Sequence, residues 1–118
     1  MKAKVESLVF EDSKEWRRWL RVNHDRKTEI WLVLPKKSVG GDSYRVYYIQ
    51  ALEEALCYGW IDSRIRSLDP TRSMVRFSPR KSKIWSPPNL QRALELLRKG
   101  KMTRAGLATL PEMRGVSS

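Results

Sequence analysis

A chain of 118 residues is long enough for one domain with a modest hydrophobic core. Hydrophobic residues make up 41% of it, which excludes the composition of a disordered chain, and five tryptophans can fill much of a core this small. The formal net charge of +11 at pH 7 favours anionic partners, whether nucleic acid, acidic lipid surfaces or phosphorylated small molecules. Charge alone does not choose among these classes.

Cysteine and histidine occur once each, as Cys57 and His24. A single cysteine cannot form an internal disulfide, which is typical of proteins from reducing compartments. One histidine and one cysteine also provide neither a zinc-ligand set nor a Cys-His catalytic pair, so we expect no metal and no cofactor. We expect Cys57 to be a buried, inert thiol and His24 to lie on the surface.

The N-terminal segment has no apolar h-region of the kind found in secretory signals. No apolar run approaches the roughly 20 residues that a membrane helix needs. We therefore expect a cytoplasmic protein without a membrane span. The sequence gives no indication of its oligomeric state.

The first part of the chain predicts a short strand followed by a helix. Residues 5–10 read as a strand or an extended lead-in. Asp12 is a candidate N-cap, with Glu15 three residues further on, as in a capping box. Tryptophans at helical spacing follow, so we expect a helix over residues 13–22 with those tryptophans in the core.

A second strand and a second helix are predicted next. The apolar run of residues 29–34, bounded by Pro35, favours a central strand because it is short and rich in β-branched and aromatic residues. Residues 35–43, with paired glycines and charges, predict a mobile loop. Gly59 stands where a C′ glycine would end the following helix. The apolar repeat of that helix consists of Val46, Ile49, Leu52 and Leu56.

Two alternating runs joined by a turn predict an antiparallel β-hairpin. The runs are residues 60–68 and 74–80, and the dipeptide Asp69-Pro70 between them is a turn signal. Because successive strand side chains point to opposite faces, the pattern divides the hairpin into two faces. The expected inner face carries Ile61, Ile65, Val75 and Phe77, and the expected outer face carries Asp62, Arg64, Arg66 and Arg76.

The C-terminal part predicts two further helices. Ser86 is a candidate N-cap followed by prolines, and Gly100 would end that helix. Thr103 is a candidate cap of a short helix that reaches Leu110, and residues 112–118 read as a frayed tail. The apolar stripes of these two helices would be Leu90, Ala93, Leu94 and Leu97, then Leu107 and Leu110.

These elements predict one small α+β domain over residues 1–111, in which an antiparallel β-hairpin and a central strand pack with three to four helices. The segment from Trp60 to Lys83 contains seven basic residues against two acidic ones. Arginine side chains suit phosphate and carboxylate groups, so we predict a site for an anionic ligand or an acidic protein surface. Its candidate residues are Arg64, Arg66, Arg76, Arg80, Lys81 and Lys83, flanked by Trp60 and Trp85, with Asp62 and Asn89 nearby.

Other interpretations stay open. A charged strand face is often simply solvated, and Trp85 can serve only to anchor the next helix. Basic and aromatic residues together also suit nucleic acid. Asp62 with Arg80 and Asn89 would form a small enzymatic site, although no nucleophile–base pair supports it. The alternative for Asp62 is a structural role, in which it pairs with Arg64, Arg80 or a backbone donor.

Several short motifs occur in a fixed order along the chain. They are Glu15-Trp16, Trp19-Leu20, residues 29–32 (EIWL), residues 55–63 (ALCYGWIDS), residues 76–81 (RFSPRK), Trp85-Ser86, Asn89, Arg92-Ala93 and residues 100–106 (GKMTRAG). Through these motifs the chain resembles the YdeI/OmpD-associated family, also called bacteriocin-protection proteins, over nearly its whole length. The resemblance implies a bacterial or archaeal cytosolic protein without established enzymatic activity, with a role in cationic-peptide tolerance or envelope stress. Longer members carry a further C-terminal helical segment, so roles of that segment are not implied.

Overall fold

The computed structural model describes residues 6–111, apart from the side chains of residues 40, 42 and 43, and the expected tail of residues 112–118 lies outside that range. The described chain is a small α+β domain with a four-stranded mixed sheet, which confirms the predicted fold class. Its elements are β1 (Ser7–Val9), α1 (Ser13–Asn23), β2 (Ile30–Pro35), α2 (Lys37–Gly40), α3 (Asp42–Cys57), β3 (Trp60–Ser67), β4 (Arg72–Pro79), α4 (Pro87–Arg98) and α5 (Arg104–Leu107).

The sheet has the strand order β1-β2-β4-β3. β1 runs parallel to β2, whereas β4 pairs antiparallel with both β2 and β3. The strand predicted as central is therefore an interior strand, and the predicted hairpin is β3 with β4. The turn between them is stabilised by Asp69, whose carboxylate accepts from the backbone N–H groups of Thr71 and Arg72.

The hydrophobic core lies between one face of the sheet and the helices. β2 contributes Ile30, Leu32 and Leu34 to this face, and the core also contains Trp16 of α1. The indole N–H of Trp16 donates to the carbonyl of Ala51 over 2.9 Å, so this buried polar atom also ties α1 to α3. We call this side of the sheet the helix side and the opposite side the outer face.

The helix caps follow the sequence signals closely. Asp12 accepts from the backbone N–H of Glu15 over 2.8 Å, and Ser86 accepts from that of Asn89 over 3.3 Å. Gly59 has a φ of 77°, in the left-handed region that glycine adopts without a Cβ clash. These local contacts satisfy backbone donors that the helix itself leaves free, which explains why they are readable from sequence.

Some local predictions were wrong. Residues 35–43 are not simply a loop, because α2 lies within them and α3 begins at Asp42. The predicted stripes are also rotated. Leu97 and Leu107 are exposed, while Leu96 and Gly106 are buried. In α4 and in α5, the residue before the predicted leucine faces the core in its place. The apolar repeat alone does not reveal this change.

The predicted division of the hairpin was wrong at its start because of one extra residue. Asp62 is paired with Phe77 and Arg64 with Arg76, so Ser63 forms an irregularity between them. Asp62 therefore faces the helix side, with buried Phe77, and not the arginines. Ile61, paired with Ser78, is shifted to the outer face by the same irregularity.

Gly106 allows α5 to lie directly against the end of α3. A Cβ at this position would stand 2.4 Å from the carbonyl oxygen of Cys57, a distance that real Cβ atoms do not adopt. Thr103 holds the contact, because its backbone N–H and its hydroxyl both donate to the same oxygen, over 3.0 and 2.5 Å. The position therefore tolerates only glycine without movement of the backbone.

We predict that Gly106→Ala lowers the free energy of unfolding by about 3 kcal/mol, because the added methyl group forces α3 and α5 apart. Gly100→Ala is a suitable control, since nothing lies within 4 Å of its added Cβ and only its φ of 75° opposes the change. We expect it to cost about 1 kcal/mol. Urea denaturation measures both, and equal stability of the two variants would contradict this packing.

Candidate anion-binding surface

Six basic residues extend from the outer face of the hairpin into the connection that leads to α4. We call them the basic surface: Arg64 and Arg66 on β3, Arg76 on β4, and Arg80, Lys81 and Lys83 in the connection. Arg64 and Arg76 are cross-strand partners and so share the outer face. Arg66 shares it too, because it is two residues along β3 from Arg64.

One end of the basic surface forms an open cleft of about 560 Å³. Arg76, Arg80 and Lys81 line it together with the hydroxyl-bearing residues Thr28 and Ser78. Guanidinium forks, an ammonium group and hydroxyl donors are the groups that bind phosphate or carboxylate oxygens. The structure thus gathers three of the predicted residues in one cleft and places Arg64 and Arg66 along the adjoining strand.

Arg76 is partly neutralised by its own molecule. Its Nε donates to the carboxylate of Glu29 over 2.5 Å, and its Nη1 donates to the hydroxyls of Ser63 and Ser78 over 3.2 and 3.3 Å. The Glu29 pair relieves the repulsion between Arg76 and Arg64, which lie directly opposite each other. Glu29 was missed by the sequence analysis, because the pairing of β2 with β4 that brings it near is not visible in the local pattern.

Two arginines lie over tryptophan rings. The Cζ atom of Arg66 is 5.2 Å from the ring centroid of Trp31, which is only 4% exposed. The Cζ atom of Arg80 is 3.8 Å from the centroid of Trp85. Such contacts hold a guanidinium in place without neutralising its charge, so both arginines remain cationic.

Arg80 is the most constrained cation of the surface. One of its terminal nitrogens donates to the carbonyl of Ile84, and Trp85 in turn donates to the carbonyl of Thr109 over 3.1 Å. Within the described residues its Nε is buried and has no hydrogen-bond acceptor. Burial also lowers the pKa of the Arg80 guanidinium. The charge of Arg80 is therefore fixed at the wall of the cleft, while its Nε is closed off from solvent.

Most of the basic surface lacks internal counter-charges. Among the side chains that the structure describes, no cation of the basic surface except Arg76 forms an ion pair. Elsewhere a carboxylate partner is present for each of Arg17, Arg18, Lys27, Arg72 and Arg98. Among the described side chains, five of the six predicted cations therefore have no carboxylate partner.

Two predicted residues lie elsewhere. Trp60 is 1% exposed and belongs to the core, with its indole N–H donating to the carbonyl of His24 over 3.2 Å, so it does not flank the basic surface. Asn89 lies in the first turn of α4, where its side-chain oxygen accepts from Arg92 over 3.1 Å. It is not among the residues that line the cleft.

Asp62 pairs with Tyr48 of α3, a residue that the sequence analysis did not single out. The tyrosine hydroxyl donates to the carboxylate of Asp62. Burial, followed by this carboxylate, raises the pKa of Tyr48 well above its ordinary value near 10. Neither Arg64 nor Arg80 is the partner of Asp62, and the small site of Asp62 with Arg80 is not assembled, because the two face opposite sides of the sheet.

Cys57 and His24 hold structural positions. Burial raises the pKa of the Cys57 thiol, which disfavours the reactive thiolate. His24 is half-buried, and its ring lies 5.1 Å from that of Tyr58. Within the described range no group of three or more His, Cys, Asp or Glu side chains is arranged to hold a metal ion.

The fold and the surface define a small α+β domain with a basic, largely unneutralised sheet face. The chain belongs to the family described as a domain of unknown function (DUF8412), which matches residues 8–109. No curated protein and no solved structure matches the chain significantly. Among the described helices, none has the length and apolar character required to cross a bilayer.

We predict that Tyr48→Phe lowers the free energy of unfolding at neutral pH by about 1–2 kcal/mol, because a partly buried carboxylate loses its donor. Tyr47→Phe is the control, since the Tyr47 hydroxyl makes no hydrogen bond within residues 6–111. Because the folded-state pKa of Tyr48 is raised, its contribution is complete below about pH 10 and is lost as the pH rises further. Denaturation at several pH values checks this, and equal losses in both variants would refute the assignment.

Proposed function

We propose that this protein is a non-enzymatic binding domain that recognises an anionic or acidic partner through the basic surface. The observation that carries the proposal is that no described side chain provides a carboxylate partner for Arg64, Arg66, Arg80, Lys81 or Lys83. Folding places these like charges on one surface, where they repel. An external anion would relieve that repulsion and would gain charge-assisted hydrogen bonds.

Non-covalent recognition is favoured over catalysis by the surroundings of the acidic and nucleophilic groups. Asp62 is engaged by Tyr48 on the helix side, and Cys57 is buried with a raised pKa. The cleft itself offers cations and hydroxyls but no carboxylate or imidazole among its described lining residues. Such a lining can hold an anion, but it provides no general base to activate a nucleophile.

Nucleic acid is a second candidate partner, and the linear arrangement of the cations favours it. Alternate residues along a strand repeat at about 7 Å, so Arg64 and Arg66 form a row that continues into Arg76 and the cleft. Trp31 is buried under Arg66, and the ring of Trp85 is occupied by Arg80. Phosphate contacts, rather than base stacking, would therefore supply the affinity.

The physiological setting is part of the proposal. The ordered motifs support a relationship to YdeI/OmpD-associated proteins, and with it a cytoplasmic role in stress or in tolerance of cationic peptides. A strongly basic domain does not itself attract a cationic peptide, so such a role would act through an acidic protein partner. A pull-down that retains a partner only while Arg64 and Arg66 are intact would support it.

The first test measures binding of labelled oligothymidylate and of labelled polyglutamate by fluorescence anisotropy, between about 50 and 200 mM salt. We expect the double variant Arg64→Gln/Arg66→Gln to weaken binding of the preferred probe about tenfold and to reduce its salt dependence. The control is Arg21→Gln/Arg104→Gln, which removes the same charge from exposed helical positions.

The two probes separate the candidates. Binding of oligothymidylate with a salt slope that falls in the surface variant supports nucleic acid, whereas preference for polyglutamate supports an acidic protein. Equal losses in the surface and control variants would show that only net charge matters. That result, or no binding of either probe at low salt, would overturn the proposal.

A second prediction concerns a substitution that should strengthen binding of the probe. Glu29→Gln removes the carboxylate that occupies Arg76, so we expect the preferred probe to bind several-fold more tightly. Glu15→Gln changes the net charge equally but frees Arg18 on α1 instead, and we expect an effect within about twofold. The same anisotropy titration measures both variants. If they behave alike, Arg76 is not part of the binding surface.

A further inference from the structure

A second concave site lies on the helix side of the sheet, where α2, α3, α4 and β3 meet. It has a volume of about 470 Å³, within the range of small-molecule sites. We call it the tyrosine pocket, after Tyr44 and Tyr48, which line it. The basic surface faces the other side of the sheet, so none of its six residues lines this pocket.

The walls of the tyrosine pocket are aromatic and aliphatic. The rings of Tyr44 and Tyr48 lie 5.9 Å apart on successive turns of α3, at an angle of 49°. Ile65 of β3 lies on the same side of the sheet as buried Val75, but it is 55% exposed and lines the pocket. A β-branched side chain that faces the core side and yet remains open leaves an apolar surface for a planar ring.

Three cations stand at the same pocket: Lys37 of α2, Arg45 of α3 and Arg92 of α4. None of them forms an ion pair within the described residues. Arg92 is held in position by Asn89, whose side-chain oxygen accepts from its Nη1 over 3.1 Å. Asn89 was predicted as a ligand residue, and here it orients a cation instead.

A carboxylate holds the ring of Tyr48 in place at the wall of this pocket. Asp62 accepts a hydrogen bond from the hydroxyl of Tyr48, which fixes the orientation of that ring and satisfies part of the carboxylate's hydrogen-bonding capacity. The described lining of the pocket therefore combines a fixed aromatic wall with three cations. An aromatic ring and an anionic group in one small molecule match these two features together.

We propose that the tyrosine pocket binds an aromatic phosphate of the nucleotide class. The base would lie against Tyr44, Tyr48 and Ile65, where stacking and apolar contact do not require a particular base. The phosphate would meet Arg45 and Arg92, whose forked donors suit its oxygens. This site is independent of the basic surface, since it uses different residues on the opposite side of the sheet.

The test is isothermal titration calorimetry of the intact protein with AMP, with ribose 5-phosphate and adenosine as partial ligands. We expect AMP to bind, and each partial ligand to bind at least tenfold more weakly. Arg45→Gln/Arg92→Gln should weaken AMP binding tenfold or more. The matched control is Arg64→Gln/Arg66→Gln, which removes the same charge from the basic surface and should leave AMP binding unchanged.

Tyr44→Ala tests the aromatic wall without altering charge and should also weaken AMP binding about tenfold. If Arg92→Gln prevents folding, Arg45→Gln alone carries the charge test. Absence of AMP binding, equal binding of ribose 5-phosphate, or equal losses in the two arginine double variants would each overturn the proposal. If Arg64→Gln/Arg66→Gln loses binding of oligothymidylate or polyglutamate but keeps AMP binding, the two sites are separate, and each proposal is tested independently of the other.

Discussion

The extra residue that Ser63 adds to β3 determines how the charges of this domain are arranged. It turns Asp62 towards the helix side, opposite Phe77, and returns Arg64 to the outer face, opposite Arg76. A regular strand would leave Asp62 among the arginines, where it would neutralise part of their charge. The irregularity instead gives this carboxylate to Tyr48, so the outer face keeps its positive charge and α3 gains a link to the hairpin.

Stability and charge are separated in this fold. The largest fully buried side chains, which include Trp16, Trp60 and Phe77, lie on the helix side, and no charged residue is fully buried in the described chain. Most of the ion pairs are exposed, and exposed pairs contribute at most about 1 kcal/mol each. The core therefore carries the stability, and the cations of the outer face can be used for recognition without being needed to hold the domain together.

Features that depend on neighbouring residues could be predicted from the sequence, whereas contacts between distant residues could not. Asp12, Ser86 and Gly59 mark helix ends because each satisfies or relaxes backbone groups within a few residues of itself. The Glu29–Arg76 pair joins residues 47 positions apart, and its existence depends on which strands pair. The irregularity at Ser63 was not predicted either, because the sequence pattern was interpreted as a strand with strictly alternating side chains. The arginines predicted for the anion surface lie along the outer face and the cleft, whereas Trp60 and Asp62 lie on the helix side.

Protection of a sheet edge explains only part of the positive charge. β3 is an edge strand, and charged side chains there prevent pairing with other chains. This effect alone is sufficient to explain the charges of Arg64 and Arg66. Arg80 and Lys81 follow β4, an interior strand, and have no edge to protect. Arg80 is moreover held over Trp85 at a cost in desolvation, with a buried donor unused. An anion in the cleft would offset that cost, whereas edge protection would not require it.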